Sequence, residues 1–257
     1  MSLNIRGFAK DCKGESKVGW FRRVRIKENP DIVLIQESKC GPVDEKWVEM
    51  IWGAPNFNFI QKPKVGKSGG MLTIWDPCVF KVSEAVEKQN FLAIKGRWIG
   101  KQNESIVVNI YGPYKDGEKK MWDCLENLMS QSNDVEWVIR GDFNELRVQE
   151  ERKNCQFIER RASWFNNFIS SNRLIDIPMG DVSVVALDRN TLDHYPIILR
   201  DQNVDFGPKP FKLFDIWLDS LDVEKIIIDA WGKRVDNSKA DIIFKDKLKN
   251  VKEALRN

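Results

Sequence analysis

Asp31-Ile32-Val33-Leu34-Ile35-Gln36-Glu37 is a continuous apolar run closed by polar residues at both ends. A strand with one face in water would show a polar residue at every second position. The unbroken run therefore predicts a strand covered on both faces, which requires a layer of structure on each side of its sheet. Its last residue, Glu37, places a carboxylate at the edge of that buried sheet. A strand-ending Glu is most often just the first solvated residue, so Glu37 gains meaning only where other polar strand ends converge on it.

The rest of the chain supplies the layers. Ser2 to Ile5 reads as a short strand, and Lys17 to Glu28 as a helix with Val18, Phe21 and Val24 on one stripe, stopped by Asn29-Pro30. An amphipathic helix is expected between Pro42 and Trp52. From Phe57 the pattern becomes short strands separated by Gly, Pro, Asp and Asn: Phe57–Ile60, Ser68–Trp75, Val79–Val86, Phe91–Trp98 and Ser105–Tyr111, read as the meander of an antiparallel sheet. Gly69-Gly70 has no helix after it, so it signals close backbone approach or a bulge rather than a nucleotide loop. Met121, Trp122, Leu125, Leu128 and Met129 mark a helix, Val135 to Gly141 a strand, and Ala162 to Ser170 another helix, followed by the apolar run Leu174-Ile175-Asp176-Ile177. Strands interleaved with helices that supply outer layers predict an α/β sandwich.

Composition narrows the class further. A chain of 257 residues with 42% hydrophobic content can bury a large core, and most of its ten Trp and fourteen Phe are expected there. Lys+Arg 41 against Asp+Glu 38 leaves a net charge of +3, so contact with a polyanion must come from local patches. Lys62, Lys64 and Lys67 form one patch, and Arg152, Lys153, Arg160 and Arg161 another, each equally well a solvated face. Cys12, Cys40, Cys78, Cys124 and Cys155 contain no Cys-x-x-Cys pair, which argues against a disulfide framework or a zinc site and fits a reducing compartment. No apolar run approaches the roughly 18 residues of a membrane span, and no signal-peptide core is visible, so a soluble intracellular protein is expected.

Three strand ends carry polar groups that chemistry could use. Tyr111-Gly112-Pro113 ends one strand, and Gly141-Asp142-Phe143-Asn144 ends another. If the strand stayed extended, Asp142 and Asn144 would project to one side and could hold a water or a phosphate oxygen. Gly-Asp-x-Asn is also good turn chemistry, because Asp and Asn bond their own backbone. Asp193-His194-Tyr195-Pro196-Ile197 holds the only histidine in the chain, just before a short apolar strand, and both a structural and a catalytic role stay open for it.

Taken together, Ser2-Leu3-Asn4-Ile5-Arg6-Gly7, Ile35-Gln36-Glu37-Ser38-Lys39, Ser68-Gly69-Gly70, Asn109-Ile110-Tyr111-Gly112-Pro113, Gly141-Asp142-Phe143-Asn144 and Asp193-His194-Tyr195-Pro196-Ile197 resemble, in order, the motifs of the endonuclease/exonuclease/phosphatase superfamily. More narrowly, the chain resembles the apurinic-endonuclease-like domain of plant LINE-type (non-LTR) retrotransposons. The resemblance implies a four-layered α/β sandwich of two packed mixed or antiparallel sheets flanked by helices. It also implies Mg²⁺-dependent hydrolysis of phosphodiesters, with Mn²⁺ as a possible substitute, DNA as the partner bound through its phosphates, and nuclear action. It implies Glu37 as the main metal ligand, with Asp193 and Asn4 nearby. Asp142 would orient or deprotonate the attacking water, and Asn144 would position the water or phosphate. Tyr111 and His194 would donate to nonbridging oxygens.

Where such domains carry several further strands, only Met179 to Thr191 lie between Pro178 and Leu192, too few residues at about 3.3 Å each. An internally shortened domain over 1–204, with an incomplete second sheet, is expected. Leu192 stands where the family has Ser, and Asp188 only superficially imitates a lost Arg-Leu-Asp motif. Gly207-Pro208-Lys209-Pro210-Phe211 with Trp217-Leu218 resembles the connector (205–220) that leads to a reverse transcriptase, which this chain lacks, and 221–257 reads as a helical tail. Two other functions stay open: a non-catalytic remnant or DNA-binding module that keeps the fold, and another phosphoesterase of the same superfamily.

Overall fold

The computed structural model describes residues 1–8, 17–66, 68–113, 118–132, 134–151, 157–177, 184–187, 194–199, 221–233 and 240–255. The apolar run folds as β2 (Ile32–Gln36), buried along its whole length. It lies between β1 (Ser2–Asn4), paired in parallel, and β4 (Met71–Trp75), paired antiparallel. With β3 (Asn58–Lys62), β9 (Val184–Ala186) and β10 (Ile197–Leu199) these strands form a six-stranded sheet in the order β3-β4-β2-β1-β10-β9. The second sheet runs β5 (Phe80–Glu87), β6 (Phe91–Trp98), β7 (Glu104–Tyr111) and β8 (Glu136–Asp142), four strands against six among the described residues.

Side-chain alternation explains the layering. On β2, Val33 and Ile35 point to an outer cluster with Trp20 and Phe21 of α1 (Lys17–Glu28) and Val48, Ile51 and Trp52 of α2 (Glu45–Trp52). Ile32 and Leu34 point the other way, against Phe80, Ile94 and Val107 of the second sheet. On β7, Ile106, Val108 and Ile110 pack on Met121, Trp122 and Leu125 of α3 (Glu118–Ser130) and Phe165 and Phe168 of α4 (Glu159–Ser171). The layers are therefore helix, sheet, sheet, helix, the α/β sandwich expected. The helix α2 is delimited by its caps: the Asp44 side chain accepts from the Trp47 N–H at 2.8 Å, and Gly53 closes the end in the left-handed region at φ 77°.

The single meander expected from Phe57 onward is instead divided between the sheets. β3 and β4 join β2, and the chain crosses to the second sheet at a turn where Asp76 Oδ1 accepts from the Cys78 N–H at 2.8 Å. Strand propensity cannot distinguish a hairpin within one sheet from a crossover between two stacked sheets, since both are short strands joined by a turn. The short bridge after Pro178 does hold a strand, β9, but it pairs with β10 in the first sheet. Leu174–Ile177 is irregular, with Ile175 87% exposed.

The chain divides into two compact units, Met1–Val204 and Asp205–Asn257. In the second, α5 (Leu221–Gly232) and α6 (Ala240–Ala254) pack on each other, with the Trp231 and Phe244 rings edge to face at 5.9 Å. The connector 205–220, Leu192 and Asp188 lie outside the described residues. Cys40, Cys78 and Cys124 are free thiols, while Cys12 and Cys155 lie outside the described residues. Among the described residues no helix is long and apolar enough to cross a membrane.

Ile94, fully buried between the sheets, and Ile99, 62% exposed at a turn, give a direct comparison. Ile94→Ala is expected to lower unfolding free energy by about 2–5 kcal/mol. Ile99→Ala should change it by less than about 0.5 kcal/mol in urea titration. Equal effects would contradict the inter-sheet core.

Candidate functional site

The polar strand ends meet at one rim of the sandwich. Asn4 ends β1, Glu37 follows β2, Tyr111 ends β7 and Asp142 ends β8. Across the two sheets, Asn4 Nδ2 donates to Asp142 Oδ2 at 2.8 Å. Tyr111 Oη donates to Glu37 Oε1 at 3.0 Å, and Tyr111 is the register partner of Asp142 in the parallel β7–β8 pair. His194 Nε2 stands 3.7 Å from Asp142 Oδ2. Arg6 Nε lies 3.8 Å from Glu37 Oε2, while its backbone N–H donates to Asn4 Oδ1 at 3.1 Å. Asp193 lies outside the described residues.

Asp142 reconciles the two readings of Gly-Asp-Phe-Asn. Its Oδ1 accepts from the Asn144 N–H at 3.2 Å, which is the Asx-turn bond. Its Oδ2 is turned toward Asn4 and His194. The same carboxylate therefore closes the turn with one oxygen and faces the rim with the other. The strand does not stay extended as far as Asn144, which adopts φ 53° and donates from Nδ2 to the Gly112 carbonyl at 2.9 Å. Asn144 thus ties the loop after β8 to the loop after β7.

Three further residues, to which the sequence assigned no role at the rim, hold this loop. Phe143 packs on Phe165 at 5.1 Å and lies parallel to Trp122 at 6.1 Å, a hydrophobic anchor between the two polar residues. Arg161, read as part of a basic patch, turns inward: it pairs with the buried Glu145 at 2.7 Å and donates to the Asn144 carbonyl at 3.3 Å. Gly141, at φ 151°, lets β8 approach β7 so closely that a Cβ there would overlap the Ile110 carbonyl. A Gly before an Asp was the available signal; the aromatic contact and the ion pair are non-local and left none.

The loop carrying Glu37 is equally constrained. Glu37 has φ 51°, a conformation that costs a non-glycine residue about 1–2 kcal/mol. It is held by the Gly7 N–H donating to the Glu37 carbonyl at 2.6 Å, and by Ser38 and Lys39 N–H groups donating to the Gly70 and Gly69 carbonyls at 2.9 and 3.0 Å. A Cβ on Gly70 would overlap Ser38 Oγ, so Gly70 serves the close approach expected of the pair, while Gly69, with open space around it, serves the turn through its φ of 80°.

Burial, followed by the neighbouring charges of Glu37 and Asp142, pushes the Tyr111 phenol well above its ordinary value of 10.0. It remains a proton donor throughout the neutral range. Of the expected basic patches, Lys62 pairs with Glu87 at 3.0 Å and Arg160 lies over the Trp164 ring at 5.1 Å. Lys67, Arg152 and Lys153 lie outside the described residues.

Neither a protein-family model nor a curated protein sequence matches the chain. Among solved structures it is similar to the AP endonuclease LMAP from Leishmania major, at 15% identity over 74% of this chain and 68% of that one, with a TM-score of 0.52. It is also similar to the catalytic domain of APE2 from Xenopus laevis, at 15% identity over 71% and 68% of the two chains, TM-score 0.46. A third similar structure is the endonuclease domain of TRAS1, a telomere-specific non-LTR retrotransposon, at 11% identity over 73% of each chain, TM-score 0.45. The likeness to the Leishmania enzyme establishes the fold: an α/β sandwich of the endonuclease/exonuclease/phosphatase type.

Two outcomes follow from this geometry. Gly141→Ala should cost more than about 2 kcal/mol in urea denaturation, because two strands must part. Gly41→Ala, where a Cβ meets nothing within 4 Å, should be near neutral. The raised Tyr111 value also sets a pH dependence. An unfolded tyrosine ionises near pH 10 while folded Tyr111 keeps its proton, so unfolding releases a proton there. Its contribution to stability is whole below about pH 10 and declines as pH rises beyond it. Tyr111→Phe should make the alkaline fall in unfolding free energy shallower; an unchanged slope would refute the burial argument.

Proposed function

We propose that this chain hydrolyses phosphodiester bonds in DNA with Mg²⁺ as cofactor, in the manner of the endonuclease domain of a plant LINE-type retrotransposon. The observation that supports it most is the convergence of Asn4, Glu37, Tyr111, Asp142 and His194, from strand ends of both sheets, on one rim. The similar fold of an AP endonuclease supports DNA as the substrate.

The donor set suits a hard cation. Glu37 offers a carboxylate and Asn4 an amide oxygen, with Asp193 the next ligand by sequence, and no thiol is among them. Mg²⁺ binds through one or two carboxylates and keeps several waters, so a sparse oxygen set is appropriate to it, and Mn²⁺ can replace it. When bound, the cation supplies neutralisation of charge on the phosphate.

The chain's own residues do the rest. Asp142 orients a water through Oδ2 and takes its proton as the oxygen attacks phosphorus, while the P–O bond to the leaving strand-end oxygen breaks and that oxygen takes a proton from solvent. Asn4, donating to that same oxygen, fixes the carboxylate plane. His194, and Tyr111 once its single proton turns from Glu37 to the substrate, donate to nonbridging oxygens as negative charge builds on them. Asn144 secures the loop through the Gly112 carbonyl and, in this proposal, positions the water or phosphate. The motif spelling of residues 2–7, 35–39, 109–113 and 141–144 supports the retrotransposon origin, and with it a nuclear place of action.

Purified protein should convert supercoiled plasmid to the nicked form with Mg²⁺, and EDTA should abolish this. Asp142→Ala should lower the rate by at least about 10²-fold, as removal of a general base does. Nicking no faster than in that variant, from folded wild-type protein with Mg²⁺ present, would falsify the hydrolytic reading. Retained DNA binding in such a sample would identify a binding module instead.

A further inference from the structure

Along β7 the side chains facing the first sheet are Val107, Asn109 and Tyr111, and they divide the space between the sheets into three levels. Val107 belongs to the apolar level with Ile32, Leu34 and Ile94. Tyr111 reaches the rim. Between them Asn109, fully buried, stands in a level made of polar groups. Its Nδ2 lies 3.2 Å from the carbonyls of Ile35 and Leu72 and from Thr73 Oγ1, and its Oδ1 accepts from Gln36 Nε2 at 2.6 Å. Gln36 Nε2 is also 3.3 Å from Ser2 Oγ.

Three of the four strands that end in a rim residue thus contribute to the level beneath it. Ser2 precedes Asn4 by two residues on β1, Gln36 directly precedes Glu37, and Asn109 precedes Tyr111 by two on β7, a rise of about 7 Å. Apolar side chains could fill this space without the desolvation cost of amides. Contact between aliphatic groups is non-directional, however, and leaves two stacked sheets free to slide by fractions of an ångström. A satisfied amide network has one geometry, and it fixes one sheet on the other. The Tyr111–Glu37 bond at 3.0 Å crosses the same gap and would not survive a shift of about 1 Å.

We propose that Asn109 is a positioning residue, which through its bonds to Gln36, Thr73 and the β2 and β4 backbones sets Tyr111 against Glu37. It touches no reacting atom. Its effect on turnover rests on the hydrolytic reading of the rim; its effect on the Tyr111–Glu37 contact does not.

The test compares Asn109→Leu, which fills the space without bonds, with Thr73→Val, which removes a single acceptor from the network. Val107→Ala, in the apolar level of the same strand, controls for general loosening. The ring ¹³Cζ resonance of Tyr111 at neutral pH, assigned by its loss in Tyr111→Phe, reports the hydrogen bond to Glu37. It should move toward that of a solvent-exposed tyrosine in Asn109→Leu, move less in Thr73→Val, and stay in place in Val107→Ala. In the nicking assay Asn109→Leu should lower kcat by about ten-fold with KM little changed, and by less than about two-fold in a Tyr111→Phe background. An unmoved resonance in Thr73→Val and Asn109→Leu, an equal movement in Val107→Ala, or an undiminished kcat loss in the Tyr111→Phe background overturns the proposal. If Asn109→Leu does not fold, Thr73→Val carries the comparison. If wild-type protein does not nick DNA, the hydrolytic reading fails alone and the resonances still decide the positioning role.

Discussion

The central strands β2, β4 and β7 are buried on both faces, and from that constraint the character of the rim follows. Between the sheets the packing is apolar from Phe80 and Ile94 up to Leu34 and Val107. A charged group has no place there, because an unpaired carboxylate in such surroundings costs several kcal/mol. Only where the strands end can carboxylates be drawn partly out of water while keeping partners. Glu37 and Asp142 occupy that boundary, with side chains 15% and 16% exposed. The half-burial gives their hydrogen bonds a lower local dielectric than the surface offers, and so a strength that surface pairs lack.

The elements of this fold are legible in the sequence where the cause is local. The unbroken run at 32–35, the capped helix after Asp44 and the strand ends at Tyr111 and Asp142 follow from periodicity and from single residues. The rim residues are legible through ordered motifs, each weak alone. The partition of the strands into two sheets is not legible, because β3 and β5 carry similar patterns and differ only in which neighbour they find. Arg161 shows the same limit at the level of one side chain. Its charge suggested a surface for a polyanion, whereas Glu145 and the carbonyl of Asn144, distant in sequence, turn it into a brace for the loop after β8. Asn109 reads as strand interior by position and as an exception by polarity; only the neighbouring sheet explains it.

The second sheet stops at β8 among the described residues, and the edge of that strand borders a cavity of about 1270 Å³. Val138 and Phe165 of the second half of the sandwich line it, with Leu34 and Ile198 of the first sheet. None of Asn4, Glu37, Tyr111, Asp142, Asn144 or His194 does. The chemistry-bearing residues of the rim therefore do not line this space. Among the described residues β8 has a strand partner on one side only, β7, and its side chains add to that hold: Val138 joins the inter-sheet core and Trp137 and Ile139 the cluster under α3 and α4.

The loop after β8 compensates through side chains. Phe143 buries its ring against α3 and α4, Asn144 bonds the Gly112 carbonyl, Arg161 holds the Asn144 carbonyl, and Gly141 brings the strand close to β7. These anchors reach the helices and the loop after β7, so the placement of Asp142 depends little on what lies along the other edge of its strand. A sandwich of this kind can therefore have a narrow second sheet and still present Asp142 to Asn4 at 2.8 Å. The rim geometry is fixed by residues near the strand ends together with their anchors Trp122, Arg161 and Phe165 on α3 and α4, and sheet width enters only through the stability of the whole.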